Sequence, residues 1–253
     1  VTTWRLEVFE TLGSTSDLCA ERAAAGEPDG LAVLALTQTQ ARGSRGRAWS
    51  SPPGNLALSV LLRDAGPLAE IGWLPLMAGV ALIESLSPLL AEPLVAEPPL
   101  AEPLLADPGR LRLKWPNDVL LDGAKLAGIL IEATGSGLLA DTAVIGFGVN
   151  LATAPEVPGR VTACVAQAAV PPSPAAFARV LLERLGAWRA RPRDAVRAAW
   201  LERTSPPGAE LRVSLGGEVI SGRFAGLDQH GRLLLDAPDG RRAIGAGEVM
   251  APA

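Results

Sequence analysis

Residues Arg110–Ala133 read RLRLKWPNDVLLDGAKLAGILIEA. Leu111 to Lys114 and Val119 to Leu121 are short strands, and Pro116 forces an extended or turn backbone between them. Asp122-Gly123 is a tight-turn dipeptide, and Leu126 to Glu132 is the next strand. Strands that follow one another in this way, with helices that do not strictly alternate with them elsewhere, argue an α+β fold over a doubly wound sheet.

The same stretch holds both lysines of the chain, Lys114 and Lys125, while the other 21 basic residues are arginine. Ala, Arg, Leu, Gly and Pro abound and Tyr is absent, the bias expected of a GC-rich genome. Under that pressure the rare residues become informative. Asn occurs only at Asn55, Asn117 and Asn150, in PPGNLALS, KWPND and GFGVN.

Working outward, WRLEVFETL (Trp4 to Leu12) alternates like a half-buried strand. GSTSDLCAERAAAG reads as a short helix with Ser14, Thr15 and Ser16 as candidate caps and Gly26 as a stop. LAVLAL (Leu31 to Leu36) and LALSVLL (Leu56 to Leu62) are strands separated by the polar loop TQTQARGSRGRAWSSPPG. Glu70 to Leu90 has helical periodicity with Pro75 near its first turn. AEPLVAEPPLAEPLLADPG cannot form a helix or a central strand and is expected to be an extended surface excursion. Leu138 to Gly146 is a strand, and Pro174 to Arg191 and Arg193 to Arg203 are helices. From about Pro206 short strands and Gly turns predict a small β-barrel-like unit. Two domains follow: residues 1–205, an α+β domain, and residues 206–253, a small C-terminal β domain.

At 253 residues the chain can bury a sizeable core. A net charge of −4 gives no electrostatic reason to expect nucleic acid. Cys19 and Cys164 lack metal-type spacing, which points to a reducing compartment without a disulfide framework. No run reaches 18 uninterrupted apolar residues and the first residues lack a signal pattern, so a cytoplasmic protein without a membrane partner is the expectation. Dimerisation is left open, with a strand edge near GFGVNL as the surface that could pair.

In ARGSRGRAW, Arg42, Arg45 and Arg47 stand among two glycines. Glycines let backbone N–H groups approach a ligand, and guanidinium forks bind carboxylate or phosphate. A solvated basic loop is the plainer alternative, and the stretch is not a Walker A sequence. In KWPND, Asp118 could help hold a metal ion and Asn117 could hydrogen-bond a ligand; a turn anchored by Trp115 is the alternative. Lys125 enters a strand with a small residue at Gly128. Its compact ammonium on a flexible stem can touch a carboxylate and a phosphate oxygen in succession. Lys114 is structural or a second phosphate contact. GFGVN is too short for a dinucleotide fingerprint. His230, in a turn, makes a His-based triad or metal centre unlikely to be the chemistry here.

With GSTSD, TQTQARGSRGRAW, GNLALS, KWPNDVLLDGAKLAGILIE, GFGVN and a final GEV in this order, the chain closely resembles the biotin–protein ligases over nearly its whole length. Nothing like a winged helix precedes Trp4, so it looks like the short form of the family. The resemblance implies attack of the biotin carboxylate on the α-phosphate of MgATP, giving biotinyl-5′-adenylate and pyrophosphate. A lysine of a biotin carboxyl carrier domain then attacks the mixed anhydride and releases AMP. ATP and Mg²⁺ are implied as co-substrate, with no tightly bound metal. By the same pattern Lys125 is the central cation, and Arg42 and Gly43 belong to the loop that folds over biotin and the adenylate. Ser14, Thr15, Ser16, Gln38, Ser44 and Gly128 match the biotin and adenylate side. Arg45, Arg47, Trp49, Asn117, Asp118 and Asn150 match the nucleotide side, with Asp118 toward Mg²⁺.

The chain departs from the family pattern in three places. Ala41 replaces a loop glycine and Ser44 a loop arginine, with Arg45 one position later. Ser16 stands where the family has an asparagine. An adenylate that is held but leaks is the expectation. Two other readings compete: a lipoate–protein ligase, which shares the fold and the acyl-adenylate strategy, and a non-catalytic module that binds a small anion. Sparse aromatics count against a single-stranded nucleic-acid module.

Overall fold

The computed structural model describes residues 2–91 and 110–250. The Pro-rich stretch expected to be a surface excursion lies outside the described residues. The larger part contains β1 (Arg5–Leu12), α1 (Thr15–Ala24), β2 (Leu31–Gln38), β3 (Leu56–Pro67), α2 (Trp73–Leu90), β4 (Leu111–Lys114), β5 (Asp118–Leu121), β6 (Ala124–Thr134), β7 (Leu139–Val149), α3 (Pro174–Arg189) and α4 (Arg193–Leu201). Its seven strands run in the order β1-β2-β3-β7-β6-β5-β4. β1 and β2 are parallel, joined through α1, and the other neighbours are antiparallel. The sheet is therefore mixed, as an α+β reading requires.

The stretch that decides the fold forms β4, β5 and β6. The Trp115–Pro116 peptide is cis, and Lys114 comes to lie opposite Asp118 on the β4–β5 ladder. Asp122 and Gly123 turn the chain with φ of 50° and 82°, the left-handed pair that a tight hairpin between twisted strands needs. Arg110 closes the hairpin base on the Asp122 carboxylate at 2.7 Å.

Helices α2, α3 and α4 cover one face of the sheet. There Leu58, Val60, Ile129, Ile145 and Phe147 join Leu76, Val80, Leu82, Phe177, Leu181 and Trp200 in the main core. Each leucine taken fully out of water contributes about 2 kcal/mol of transfer free energy. The segment Leu68–Leu90 is apolar enough to cross a membrane by composition, but its most apolar stretch is mostly buried, and it serves as the central core helix. On the opposite face α1 covers only part of the sheet, burying Cys19 and Ala23 on Leu31, Val33, Leu61 and Val144. Ser14 caps α1, accepting from the Asp17 amide, and Gly26 with φ of 88° leaves the helix. Among the described residues no α-helix covers the rest of that face.

The C-terminal unit contains β8 (Glu210–Leu215), β9 (Glu218–Leu227), β10 (Leu233–Ala237), β11 (Gly240–Ile244) and β12 (Glu248–Val249). They form an antiparallel sheet in the order β11-β10-β9-β8-β12. His230 lies in the loop before β10, where Asp228 accepts from the amides of His230 and Arg232.

Two expectations need correction. The strand ending in GFGVN has no free edge: β7 runs between β3 and β6, its backbone groups committed to both, so the edges of this sheet are β1 and β4. β3 does not stop at Leu62 but runs to Pro67, with a register shift between Arg63 and Gly66 where Asp64 takes a φ of 50°.

Candidate active site

The helix-free part of the sheet is hollowed by small residues. Gly128 on β6 pairs with Gly148 on β7, and Leu130 pairs with Gly146. A Cβ at Gly146 would sit 3.0 Å from Ser16 Oγ, and one at Gly128 would sit 3.4 Å from Lys125 Nζ. One cavity opens over this trough, lined by residues of α1, β2, β3, β6, β7 and the 41–49 loop.

Hydroxyls and an amide form the end of the cavity nearest α1. Gln38 Oε1 accepts from the Thr15 amide at 2.8 Å and from Thr15 Oγ1 at 3.1 Å. Ser59, fully buried in the apolar run of β3, shares hydrogen bonds with Thr15 at 2.7 Å and Ser16 at 3.0 Å. This end therefore presents hydroxyl and amide groups. Leu58, Leu130 and Phe147 contribute to the lining beyond it.

A cation stands at the other end. Lys125 Nζ donates to Asp118 Oδ1 at 2.5 Å and lies 5.5 Å from the centre of the Trp49 ring. Its backbone is held as well: its N–H bonds Val161 O and its C=O accepts from Ala163, each at 2.9 Å. Asn150, buried behind it, donates to Ala163 O at 3.0 Å and to Lys125 O at 3.5 Å, and its Oδ1 has no partner among the described residues. Asn117 donates to Ile129 O at 2.6 Å and accepts from the Ile129 amide through its own carbonyl, fastening the KWPND turn to β6.

From β3, with Ser59, to β6, with Lys125, the sheet takes two steps through β7. At roughly 4.8 Å per strand that is about 10 Å across the sheet, and because Ser59 stands level with Leu130 while Lys125 lies further along β6, the two ends are also offset along the strands. The cavity therefore suits an elongated molecule with a neutral polar head, an apolar middle and an anionic tail, laid obliquely over the strands.

The 41–49 loop closes over the trough as a small hairpin. Arg42 bridges Ala48, and the Gly43 amide donates to Arg47 O at 2.7 Å. The Trp49 indole lies against the Gly pair, and a Cβ at Gly148 would come within 2.6 Å of its Cζ2 and Nε1. Arg42 is pinned from two sides, by Asp17 of α1 at 2.5 Å and by a fork onto Glu132 of β6 at 2.9 and 3.1 Å. Burial works against its charge, and the two carboxylates more than offset this, so its pKa rises. Arg47 turns outward, donating to both oxygens of Glu248 on β12 at 2.9 and 3.1 Å and to Ser44 Oγ at 3.2 Å.

The structure thus gathers Ser14, Thr15, Gln38, Arg42, Gly43, Ser44, Trp49, Asn117, Lys125 and Gly128 on one cavity. Ser16 lies beneath it, Asp118 and Asn150 hold Lys125 from behind, and Arg47 reaches the C-terminal sheet. Arg45 falls within the short helical turn Ser44–Gly46 of the loop. Sequence reasoning missed Ser59, Asp17, Glu132 and Glu248 as site partners. Ser59 left a trace as the lone hydroxyl in LALSVLL; the three carboxylates left none, because their partners lie far away in sequence. Among the described residues no group of three or more His, Cys, Asp or Glu could hold a metal ion.

Comparison with known proteins gives this architecture its class. Residues 8–150 match the biotin/lipoate A/B protein ligase family, and residues 208–250 match the biotin protein ligase C-terminal domain. The chain belongs to this ligase family. It is 35% identical over 233 residues to a biotin–[acetyl-CoA-carboxylase] ligase of Paracoccus denitrificans, covering 86% of this chain and 89% of that one. It is 36% identical over 258 residues to the enzyme of the same name from Mycobacterium tuberculosis, covering 98% and 89%. The solved biotin protein ligase from Aquifex aeolicus in complex with biotin and ATP shares the fold, with a TM-score of 0.75 at 23% identity over 97% of each chain.

Proposed function

We propose that this chain is an ATP-dependent biotin–protein ligase acting on the biotin carboxyl carrier domain of a carboxylase. One observation carries the reading: the Lys125 ammonium stands at the end of a trough whose far end, two strands away on β3 and α1, is built of hydroxyl and amide groups. Biotin has a matching form, with a neutral ureido head, an aliphatic chain and a carboxylate.

In the first step a biotin carboxylate oxygen attacks the α-phosphorus and the bond to the bridging oxygen of the β-phosphate breaks, releasing pyrophosphate. Lys125 neutralises charge on the carboxylate and on the α-phosphate oxygens, which lowers the barrier without any proton transfer. In the second step a carrier lysine amine attacks the acyl carbon, loses a proton, and AMP departs. Trp49 and the pinned Arg42 keep the loop over the trough and so keep water from the anhydride. We assign Ser14, Thr15, Ser16, Gln38, Ser44 and Gly128 to the biotin and adenylate side, and Asn117, Asp118, Asn150, Arg45, Arg47 and Trp49 to the nucleotide side.

Mg²⁺ fits as an ion that arrives with the nucleotide. Such ions keep several waters and bind phosphates plus one or two carboxylates, and Asp118 supplies one carboxylate beside Lys125. When bound it screens phosphate charge. We assign the work to the cytoplasm, and the two buried free thiols suit such a reducing compartment.

The two full-length relatives named above are biotin enzymes, which favours biotin over lipoate. The test is exchange of labelled pyrophosphate into ATP with biotin, with lipoate and with neither. Biotin-dependent exchange that disappears in Lys125→Ala supports the reading. Exchange with lipoate alone, or none, overturns it.

A further inference from the structure

We propose that Asp17 and Glu132 are positioning residues: through Arg42 they latch the 41–49 loop across the hydroxyl end of the trough, and so set how long biotin and its adenylate stay bound. The proposal rests on the ligase reading for its ligands, while the latch itself can be measured in the free chain.

The register fixes where the latch stands. Leu130 on β6 and Ser59 on β3 both pair with Gly146, so Leu130 is level with the hydroxyl end. Glu132 follows two positions further on the same face of β6, away from Lys125. Seven positions, about 23 Å of strand, separate it from that lysine. Asp17 lies in the first turn of α1, directly after Ser16. Arg42 crosses from one to the other. Its Nη2 donates to both oxygens of Glu132 at 2.9 and 3.1 Å, and its Nε donates to the nearer of them at 3.2 Å. Its Nη1 meets Asp17 at 2.5 Å and Ser14 Oγ at 3.5 Å.

Held there, the guanidinium is remote from Lys125; what it joins is the loop, the helix and the sheet. The loop's backbone bonds, Gly43 to Arg47 and Trp49 to Ala41, shape the hairpin without tying it to the body. Several charge-assisted bonds on one planar cation hold it in a single orientation, which one contact does not. Yet Arg42, Glu132 and Asp17 keep 32%, 38% and 55% of their side-chain surface in water. Screening at that exposure keeps such pairs weak. A permanent staple would be buried and apolar. A joint of several weak charged bonds keeps the loop down between events and still lets it lift when a ligand enters or leaves.

Hydrogen exchange of the full chain without ligand, followed by mass spectrometry on peptides from the 41–49 loop and from β3 and β7, tests the latch. Asp17→Asn and Glu132→Gln should each speed loop exchange by about fivefold, the loss of one exposed charged contact, with β3 and β7 unchanged. Asp17→Glu should stay near wild type. The double variant should open the loop no more than Arg42→Gln does, because both carboxylates act through that residue. Raising the salt concentration should bring wild type toward the variants, a response that a packing role would not give. Release of labelled biotin, chased with unlabelled biotin, should quicken by the same factor as the loop. Equal loop exchange in wild type and both variants, or a gap that survives high salt, overturns the latch. Faster loop exchange with unchanged biotin release overturns its role in retention. The two proposals fail separately. Faster loop exchange in the variants, without biotin-dependent pyrophosphate exchange by wild type, leaves the latch and sinks the ligase. Biotin-dependent pyrophosphate exchange with an unaltered loop does the reverse.

Discussion

Asp118 Oδ1 and Lys125 Nζ meet at 2.5 Å on neighbouring strands, both side chains nearly buried. The carboxylate holds the ammonium at the cavity and compensates it while no ligand is present. Removing it leaves a desolvated cation without its partner, which costs about 3 kcal/mol. Asp118→Ala should therefore lower unfolding stability by about that amount, read by chemical denaturation, and reduce adenylate formation by more than tenfold. Wild-type stability in the variant would show that solvent, rather than Asp118, compensates Lys125.

The loop is pinned at Arg42 but carries Ser44 where its family has an arginine. Ser44 lines the cavity and accepts from Arg47. Ser44→Arg should slow release of free adenylate in the absence of carrier, assayed as adenylate in the filtrate after ultrafiltration. A release rate equal to that of wild type would show that Arg42 and Trp49 already seal the site.

Gly148 leaves room for the Trp49 indole, and its backbone is ordinary extended strand. Gly148→Ala should keep the fold and displace the indole, because the added Cβ would fall 2.6 Å from ring atoms. The expected result is an unchanged melting temperature, altered Trp fluorescence and a raised KM for ATP. Unaltered fluorescence would mean that the sheet, not the indole, gives way.

Asp29 accepts from Arg189 at 2.6 and 3.0 Å and from the Arg63 amide at 2.9 Å. Burial raises its pKa, but these donors outweigh it and hold the carboxyl below its ordinary 3.8. A depressed acid stabilises the fold above its unfolded pKa, and the contribution is lost as pH falls through the folded value. Asp29→Asn should lower stability at neutral pH and converge with wild type in acid below the ordinary carboxyl range. A constant gap across that range would contradict the ion pair.

Cys19 is fully buried, and burial first, with Glu7 adding to it, pushes its thiol up to about 12. With almost no thiolate at neutral pH, it should resist thiol reagents until the chain unfolds. Labelling of Cys19 in the native state, located by peptide mapping, would show that α1 opens locally.

What could be read in the sequence were features written locally. The Asp-Gly turn, the β1 strand and the Ser14 cap are local chemistry, and the structure has each of them, although burial along β1 does not alternate and Val8 is exposed. Lys125 and Asn117 stood out because composition had stripped Lys and Asn from nearly everywhere else. The order of strands was not legible. GFGVN reads as the end of a strand whether that strand is central or at an edge, and only pairing over long separations, Leu56 with Val149 for instance, sets β7 inside. The carboxylates around the arginines were hidden for the same reason, since Arg42 finds Glu132 ninety positions away and Arg47 finds Glu248 more than twice as far.

A trough that runs across strands is graduated by the sheet itself. The strand positions that carry its donor end and Lys125 are set by backbone hydrogen bonds, and the Asp118 contact holds the Lys125 stem over them. An acid one methylene shorter or longer than the natural ligand therefore meets the ammonium out of place even when its head group is fully seated. Chain-length discrimination thus draws on the main-chain register and the Asp118 contact together, and loosening that contact would blur it.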